Sequence, residues 1–393
     1  MSAGIETSGR HHQQMARRKI IRISVTSLLV LLVLVTAALG GIGWYYSGEL
    51  LEPEEVPQRY PETSLGVDDK NVVLAESKLT LQRGTFGIVW PGGAAMVGDI
   101  AATKDGRVER PLLDGTAPPE GTKVRVETDV YEGNPKTTLG LVYSEVRVPS
   151  ELGEMPAWLV PAADQDTWVV TVHGRGASRE EALRVVPQLH SAGLPVLLIT
   201  YRNDAGAPKS PDGLYHLGDT EWRDVEAAIK YAQSQGARKV VLYGWSMGGA
   251  IVGQTLARSG VAAAVSGVVL DSPVTNWTQT LNLQAENRGV PTWLTPVAEL
   301  VSGWRTGIDF DRFDLVRNPP ALKPPTLLFH GTADGTVPAQ SSRDLATAAK
   351  GLGWPLQYVE IPGADHTSGW NVATDTYRDA LAEFLTRSIG AKP

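Results

Sequence analysis

Lys239-Val240-Val241-Leu242-Tyr243-Gly244-Trp245-Ser246-Met247-Gly248-Gly249-Ala250 joins two apolar stretches through a serine flanked by glycines. The first stretch is rich in Val and Leu, as a strand buried on both faces is. The second runs on to Ser259 and reads as an apolar helix. A turn tight enough to join them forces Ser246 into a strained backbone conformation. It also needs glycine at 244 and 248, where any β-carbon would collide with the crossing elements. The pentapeptide alone recurs by chance; its place between strand and helix carries the reading. A serine hydroxyl displayed in this way is a weak nucleophile until a base takes its proton and an anion fixes the base's tautomer.

Both partners lie further on. Asp334 sits in Phe329-His330-Gly331-Thr332-Ala333-Asp334-Gly335-Thr336-Val337-Pro338, and His366 in Ile361-Pro362-Gly363-Ala364-Asp365-His366. Each follows an apolar run. Such runs recur at 168–172, 195–200, 239–243, 267–270, 326–329 and 356–361, after extended stretches at 140–148 and 155–161. Helical stretches at 178–192, 219–235, 247–259, 339–350 and 370–388 separate them, the first opening on the capping box Ser178-Arg179-Glu180-Glu181. Alternation of this kind implies a mostly parallel sheet flanked by helices. Residues 275–323 break the alternation and read as a small helical lid over the sheet's carboxyl edge, where ligands bind in open α/β folds. Trp277, Trp293 and Trp304 fall in the lid, placed either to wall an acyl pocket or to seal the lid onto the sheet.

From residue 140 to 393 the chain resembles the α/β-hydrolase superfamily, in particular small serine esterases and the catalytic domains of prolyl-oligopeptidase-type peptidases. The likeness rests on the Gly-Trp-Ser-Met-Gly-Gly elbow, the His-Gly-Thr-Ala-Asp-Gly-Thr-Val-Pro loop and the Gly-Ala-Asp-His loop. It implies an α/β-hydrolase fold with Ser246 as nucleophile, His366 as general acid–base and Asp334 as its orienter. Asp365, adjacent to His366 in sequence, is the rival orienter, and Asp271 at another strand end is an alternative acid. The oxyanion of an acyl-transfer reaction needs two backbone N–H groups. Met247 supplies one. The loop His173-Gly174-Arg175-Gly176 resembles the family's His-Gly-x-x loop, and matching it gives Arg175 as the second donor, with His173 as a loop brace. The Arg175 side chain reads either as an anion attractant or as solvent-facing.

The N-terminal third is different. No charge interrupts Ile23 to Tyr46, a length that spans a bilayer as a helix. Arg10, Arg17, Arg18, Lys19 and Arg22 precede the span against Glu6 alone, and Glu49, Glu52, Glu54 and Glu55 follow it. The positive-inside bias keeps residues 1–22 in the cytoplasm as a basic tail and sends everything beyond the 23–46 signal-anchor outside. A cleaved signal peptide with Ala38-Leu39-Gly40 at its site is the alternative, disfavoured by the length of the apolar stretch. A buried helix would show a polar face, and none appears. Residues 47–70, with Pro53, Pro57 and Pro61, read as a linker. Residues 71–135 carry strand-like runs such as 78–81, 87–90 and 124–127 and read as a small β-rich domain, too short for a propeller. Residues 136–393 form the catalytic domain.

Composition narrows the partners. With 42% hydrophobic and 20% charged residues, the chain of 393 can bury a large core. The net charge of −7 becomes more negative once the basic tail is set aside, which argues against nucleic acid. The absence of cysteine excludes disulfides and thiolate ligands. Gly174-Arg175-Gly176 lacks the third glycine of a dinucleotide fingerprint, Arg179 standing there, and the histidines show no metal spacing, so no cofactor or metal is expected. His330 reads as a loop brace, and Asp219, Glu221, Asp224 and Glu226 as one solvated helix face. The expected function is a membrane-anchored, extracytoplasmic serine hydrolase acting on a small-molecule ester or acyl substrate. The alternatives are a peptidase or amidase, or an acyltransferase, using the same residues.

Overall fold

The computed structural model describes residues 5–53 and 59–390. The side chains of Arg10, Arg17, Arg18, Lys19 and Arg22, and residues 54–58 of the expected linker (Glu54, Glu55 and Pro57 among them), lie outside the described residues. A first helix, α1 (Ile5–Leu51), runs without a break through the expected tail and span. It also continues five residues into the expected linker. The reason is tertiary: Leu51 is fully buried in the catalytic domain's core, and its carbonyl accepts from the Tyr215 N–H at 2.7 Å. Leucine and valine side chains along 28–35 stay exposed.

The next unit is a seven-stranded barrel of β1 (Glu62–Asp68), β2 (Asn71–Ala75), β3 (Phe86–Trp90), β4 (Gly93–Val97), β5 (Ala102–Lys104), β6 (Arg107–Gly115) and β7 (Lys123–Glu127). The strand order is β2-β1-β7-β3-β4-β6-β5, and a further β2–β6 pairing closes it. Closure recruits β1 from the stretch expected to be linker, because β2 and β7 would otherwise be left with open edges. Residues 78–81, expected as a strand, form a turn instead. The Thr80 hydroxyl holds it, donating to the Ala75 carbonyl and accepting from the Ser77 N–H. Inside are Val72, Leu74, Phe86, Ile88, Val97 and Val124.

After a short helix, α2 (Pro135–Leu139), an eight-stranded sheet begins with the hairpin β8 (Ser144–Ser150) and β9 (Gly153–Val160). It continues with β10 (Thr167–Val172), β11 (Val196–Ile199), β12 (Lys239–Trp245), β13 (Val265–Asp271), β14 (Thr326–Gly331) and β15 (Leu356–Ile361). The order is β15-β14-β13-β12-β10-β11-β9-β8; β8–β9 and β9–β11 are antiparallel and the rest parallel. This is the α/β-hydrolase fold. Each apolar run read from the sequence falls within one of these strands, displaced by a few residues at most, because a strand buried on both faces carries nothing but its hydrophobicity.

Helices α4 (Trp222–Ser234), α5 (Met247–Arg258) and α8 (Ala339–Ala349) cover one face of the sheet. The other face is covered by a 3₁₀ turn at Arg179–Arg184, α3 (Val186–Ser191), and α10 (Thr374–Ile389) beyond the single turn α9 (Gly369–Val372). The excursion at 275–323 is helical, with α6 (Trp277–Asn287) and α7 (Thr295–Thr306). Helix α7 lies against α1. A β-carbon at Gly43 would sit 2.8 Å from Val301, so this crossing depends on the missing side chain.

The acidic cluster before and within α4 is not solvated. Asp219, Glu221 and Asp224 are all buried. Glu221 accepts from the N–H groups of His216 and Gly218 at the start of the helix. Asp224 pairs with Arg202 at 2.8 Å and accepts from Ser150 at 2.6 Å, and Asp219 pairs with Arg258 at 2.7 Å. The partners of Asp219 and Asp224 come from distant segments and Glu221 folds back onto the preceding turn, so proximity in sequence does not make these carboxylates one solvated face.

Candidate active site

Parallel register sets the ends of β10, β12, β13, β14 and β15 along one edge. Between β12 and α5 the chain turns at Ser246, with φ 50° and ψ −119°. That conformation costs about 1–3 kcal/mol and is held by neighbours on both sides. The Ser246 N–H donates to the Asp271 carbonyl at 3.0 Å, and its own carbonyl accepts from Gly249 and Val274. A β-carbon at position 248 would lie 2.1 Å from the Val172 carbonyl oxygen, so only glycine lets α5 cross β10 here. Met247 is the first residue of α5, so its N–H has no partner within the helix.

The loops after β14 and β15 bring the other two residues to this serine. His366 Nε2 is 2.9 Å from Ser246 Oγ, and His366 Nδ1 is 2.8 Å from Asp334 Oδ2. Asp334 Oδ1 accepts from the N–H groups of Thr336 and Val337, each at 2.8 Å. His330 Nε2 lies 3.1 Å from Asp334 Oδ2 and 3.1 Å from the Val337 carbonyl, while its Nδ1 meets Ser342 Oγ at 2.7 Å. Two acceptors at Nε2 require the Nε2–H tautomer, so His330 braces the acid loop by donating to it.

Electrostatics follow from this packing. Burial pushes the Asp334 carboxyl up, but His366 and His330 outweigh it and hold the group well below the usual carboxylate range. Burial pulls His366 down, yet the attraction and hydrogen bond of Asp334 prevail and the imidazolium is favoured beyond its ordinary 6.5.

The rival acids do not reach the imidazole. Asp365 Oδ1 accepts from the N–H groups of Gly335 and His366, bracing the two loops together. Asp271 accepts from Ser272 Oγ at 3.0 Å and Tyr377 Oη at 2.9 Å, and Ser272 Oγ accepts from the Thr367 N–H beside His366.

In the loop after β10, Gly174 sits against the serine, and its N–H donates to Glu181 Oε2 at 2.7 Å. His173 is buried and stacked on Tyr201, with Nε2 2.8 Å from Asp204 and Nδ1 2.9 Å from the Gly174 carbonyl. The Arg175 side chain turns to the end of α1 rather than to open solvent. Its guanidinium donates to the carbonyls of Glu49, Leu50 and Glu52, capping the end of α1 with a cation.

Three contributors escaped the sequence reading. In the sequence Glu181 reads only as part of a cap. Its carboxyl, driven by burial up to about 7, instead holds the Gly174 loop. Arg184 donates to the Thr367 carbonyl at 2.9 Å, behind His366. The end of α1 itself is a wall of the site. The signal for the first two was available: a Glu and an Arg three apart within Ala182-Leu183 and Val185-Val186, an apolar context that turns charges inward.

A cavity of about 270 Å³ opens at Ser246 and His366, lined by Met247 and Arg175, by Trp277, Leu281 and Ala285 of α6, by Leu294 and Ala298, and by Tyr46, Glu49 and Leu50 of α1. Trp277 is buried, its Nε1 donating to the Leu217 carbonyl. Trp293 and Trp304 are exposed, so neither walls the cavity nor seals the lid to the sheet.

Residues 183–392, more than half of the chain, match the prolyl oligopeptidase family. The chain belongs to that family. It is therefore a serine hydrolase of the α/β-hydrolase superfamily, and the serine, histidine and aspartate described above fall within or beside the residues matched. Two bacterial proteins are similar to this chain at modest identity. YfhR of Salmonella typhi is 26% identical over 253 residues, 60% of this chain and 78% of that protein. Rv2307c of Mycobacterium tuberculosis is 27% identical over 225 residues, 56% of this chain and 70% of that protein. The Pyrococcus furiosus esterase Pf2001 superposes with a TM-score of 0.53 at 21% identity, covering 66% of this chain and 97% of that one, a likeness of fold. The barrel, at residues 63–127, matches a separate domain of unknown function, DUF8805.

Proposed function

We propose that this prolyl oligopeptidase family member is a membrane-anchored, extracytoplasmic hydrolase that cleaves carboxylic esters through an acyl-enzyme, with Ser246, His366 and Asp334 as its triad. The observation that carries the reading is the unbroken contact from Ser246 Oγ through the His366 ring to Asp334, at 2.9 and 2.8 Å. His366 Nε2 takes the hydroxyl proton as Ser246 Oγ attacks the ester carbonyl. The N–H groups of Met247 and Arg175 meet the oxyanion. As the tetrahedral centre collapses, the same proton passes to the departing alkoxide, releasing an alcohol and leaving Ser246 acylated. Water then repeats the sequence: His366 accepts its proton, hydroxide adds to the acyl carbon, and the proton returns to Ser246 as the acid leaves.

Ester rather than amide cleavage is supported by the apolar wall of the cavity, where Val274, Trp277, Leu281 and Leu294 suit an acyl group. Peptide-bond cleavage is the second reading, favoured by the family match. Anchoring is supported by Ser27–Leu51, a 25-residue helical span whose most apolar stretch has a mean hydropathy of 2.2 and is exposed. Its orientation is supported by the basic residues before it and the acidic ones after it.

A fluorophosphonate probe followed by mass spectrometry tests the nucleophile. The label belongs on the peptide carrying Ser246 and disappears in Ser246→Ala; labelling elsewhere removes the mechanism. A matched ester and anilide panel separates the two readings of substrate. Retention of the full chain in membranes washed with alkaline carbonate, and its digestion by protease added outside intact cells, test anchor and orientation.

A further inference from the structure

Two features remain unused by the reaction above. One is a set of large apolar side chains left in the open: Trp293, Leu300 and Trp304 on the lid, and Trp44 and Tyr45 on α1. The other is a groove of about 540 Å³ between α1 and the lid, lined by Ala38, Gly41, Ile42 and Tyr45 on one side and by Pro291 and Leu294 on the other. Tyr46, Val290 and Leu294 line both this groove and the catalytic cavity, so only those three side chains stand between the two voids.

The lid is tied to α1 rather than resting on it. Gly43 lets α7 approach to van der Waals contact, and the Trp44 and Trp304 rings lie 6.3 Å apart, centroid to centroid. The Arg305 guanidinium covers the Trp44 ring at 4.4 Å and donates to Ser47 Oγ at 3.1 Å. A helix that crosses a bilayer through its apolar stretch carries residues 38–46 in the half nearer the catalytic domain. There the groove's outer mouth opens among acyl chains, and its inner end adjoins the cavity that holds Ser246. Trp and Tyr gathered around that mouth are the residue types that settle at a membrane–water interface.

From this adjacency we infer that the substrate is a long-chain acyl ester of the bilayer itself, which enters sideways, the three shared side chains parting to admit its acyl chain. Its acyl chain slides along the groove between α1 and the lid, and its ester carbonyl arrives at Ser246 without crossing water. The exposed aromatic rim holds the lid in the interface so that the mouth stays open to lipid. The inference rests on the reading that Ser246 is the nucleophile and that α1 spans a membrane, and it adds the substrate class and its path.

The test uses the full chain reconstituted in vesicles of phosphatidylglycerol and phosphatidylethanolamine. Gly41 lines the groove and a β-carbon there meets open space, so Gly41→Leu narrows the groove without a clash at the backbone. Hydrolysis of 4-methylumbelliferyl palmitate in the bilayer is compared with that of the butyrate ester in solution. In Gly41→Leu the palmitate-to-butyrate ratio of kcat/KM should fall by about tenfold or more, the loss expected when methylenes are shut out of an apolar site. An unchanged ratio overturns the groove as the route.

An independent measurement leaves the groove intact. Ser246→Ala is reconstituted with a phospholipid bearing a diazirine at the end of one acyl chain. After irradiation, label on Leu281 or Ala285 inside the cavity supports the path; label confined to residues 28–35 of α1 refutes it. Failure of the fluorophosphonate to mark Ser246 would sink the hydrolytic mechanism, while diazirine labelling of the cavity would still report on the groove, so the two failures are distinguishable.

Discussion

Replacing Asp334 with asparagine tests the proposed relay because its surroundings dictate how the amide must sit. The two oxygens of Asp334 face different chemistry: Oδ1 takes two backbone N–H donors, from Thr336 and Val337, while Oδ2 faces His366 Nδ1 and His330 Nε2. Backbone donors cannot turn away, so the asparagine carbonyl occupies the Oδ1 position and its NH2 group points at both imidazoles. His366 must then accept at Nδ1, which places its proton on Nε2 and aims it at Ser246 Oγ. A ring in that tautomer donates to the serine and cannot take its proton. His330, already committed to donating through Nε2, meets a second donor and adds local repulsion. The loss expected from a wrong tautomer of this kind is about 10⁴-fold in kcat, equivalent to about 5 kcal/mol of transition-state stabilisation. KM for a short p-nitrophenyl ester should change little, since no substrate contact is removed. The assay is steady-state hydrolysis beside circular dichroism, to show the fold retained. Activity within tenfold of the wild type, or a larger loss from Asp365→Asn, would refute the reasoning.

Three further outcomes are expected. Asp334 raises the His366 pKa above 6.5 and the reaction needs the neutral ring. Activity should therefore be lost as pH falls through a midpoint above 6.5 in a kcat/KM profile, and the limb should move lower in Asp334→Asn. The ion pair's stabilising effect runs the other way, present at low pH and lost as pH rises through the folded value, so thermal stability and activity should trend oppositely across that window. Gly248→Ala drives a β-carbon to 2.1 Å from the Val172 carbonyl oxygen and 2.8 Å from that of His173, neither of which can yield cheaply. It should cost about 1–3 kcal/mol or more by thermal unfolding and abolish probe labelling of Ser246. Asn371 donates to the Thr85 and Thr128 carbonyls at 2.7 and 2.9 Å, joining barrel to catalytic domain. Asn371→Leu should cost about 1–3 kcal/mol for the Thr85 acceptor it orphans, the Thr128 carbonyl keeping Arg184 at 3.4 Å, and expose residues 128–143 to limited proteolysis.

What could be read from the chain divides along physical lines. Buried parallel strands announce themselves because both of their faces must be apolar, and β10 through β14 are legible for that reason. The turn at Ser246 is legible because sterics allow so few residues around it. Where an element depends on a partner remote in sequence, reading failed. The strand β1 reads as linker until β2 and β7 require a neighbour; residues 78–81 are a different case, bent by local bonds of the Thr80 hydroxyl to Ala75 and Ser77. Asp219 and Asp224 look solvated because Arg258 and Arg202 are invisible from their own segment, and Glu221 because no local pattern shows that its carboxyl folds back onto the N–H groups of the turn before α4.

The sequence by itself determined the catalytic domain's fold, the chain order of the candidate serine, acid and histidine, and the existence of one long apolar helix, since each follows from hydrophobic period or local sterics. Only the tertiary structure decided which carboxylate reaches His366 and that Glu181 and Arg184 stand behind the site. It alone revealed that the end of α1 is built into the cavity wall under Arg175. Those facts depend on side chains from distant segments meeting within hydrogen-bond range, and no local pattern encodes such a meeting.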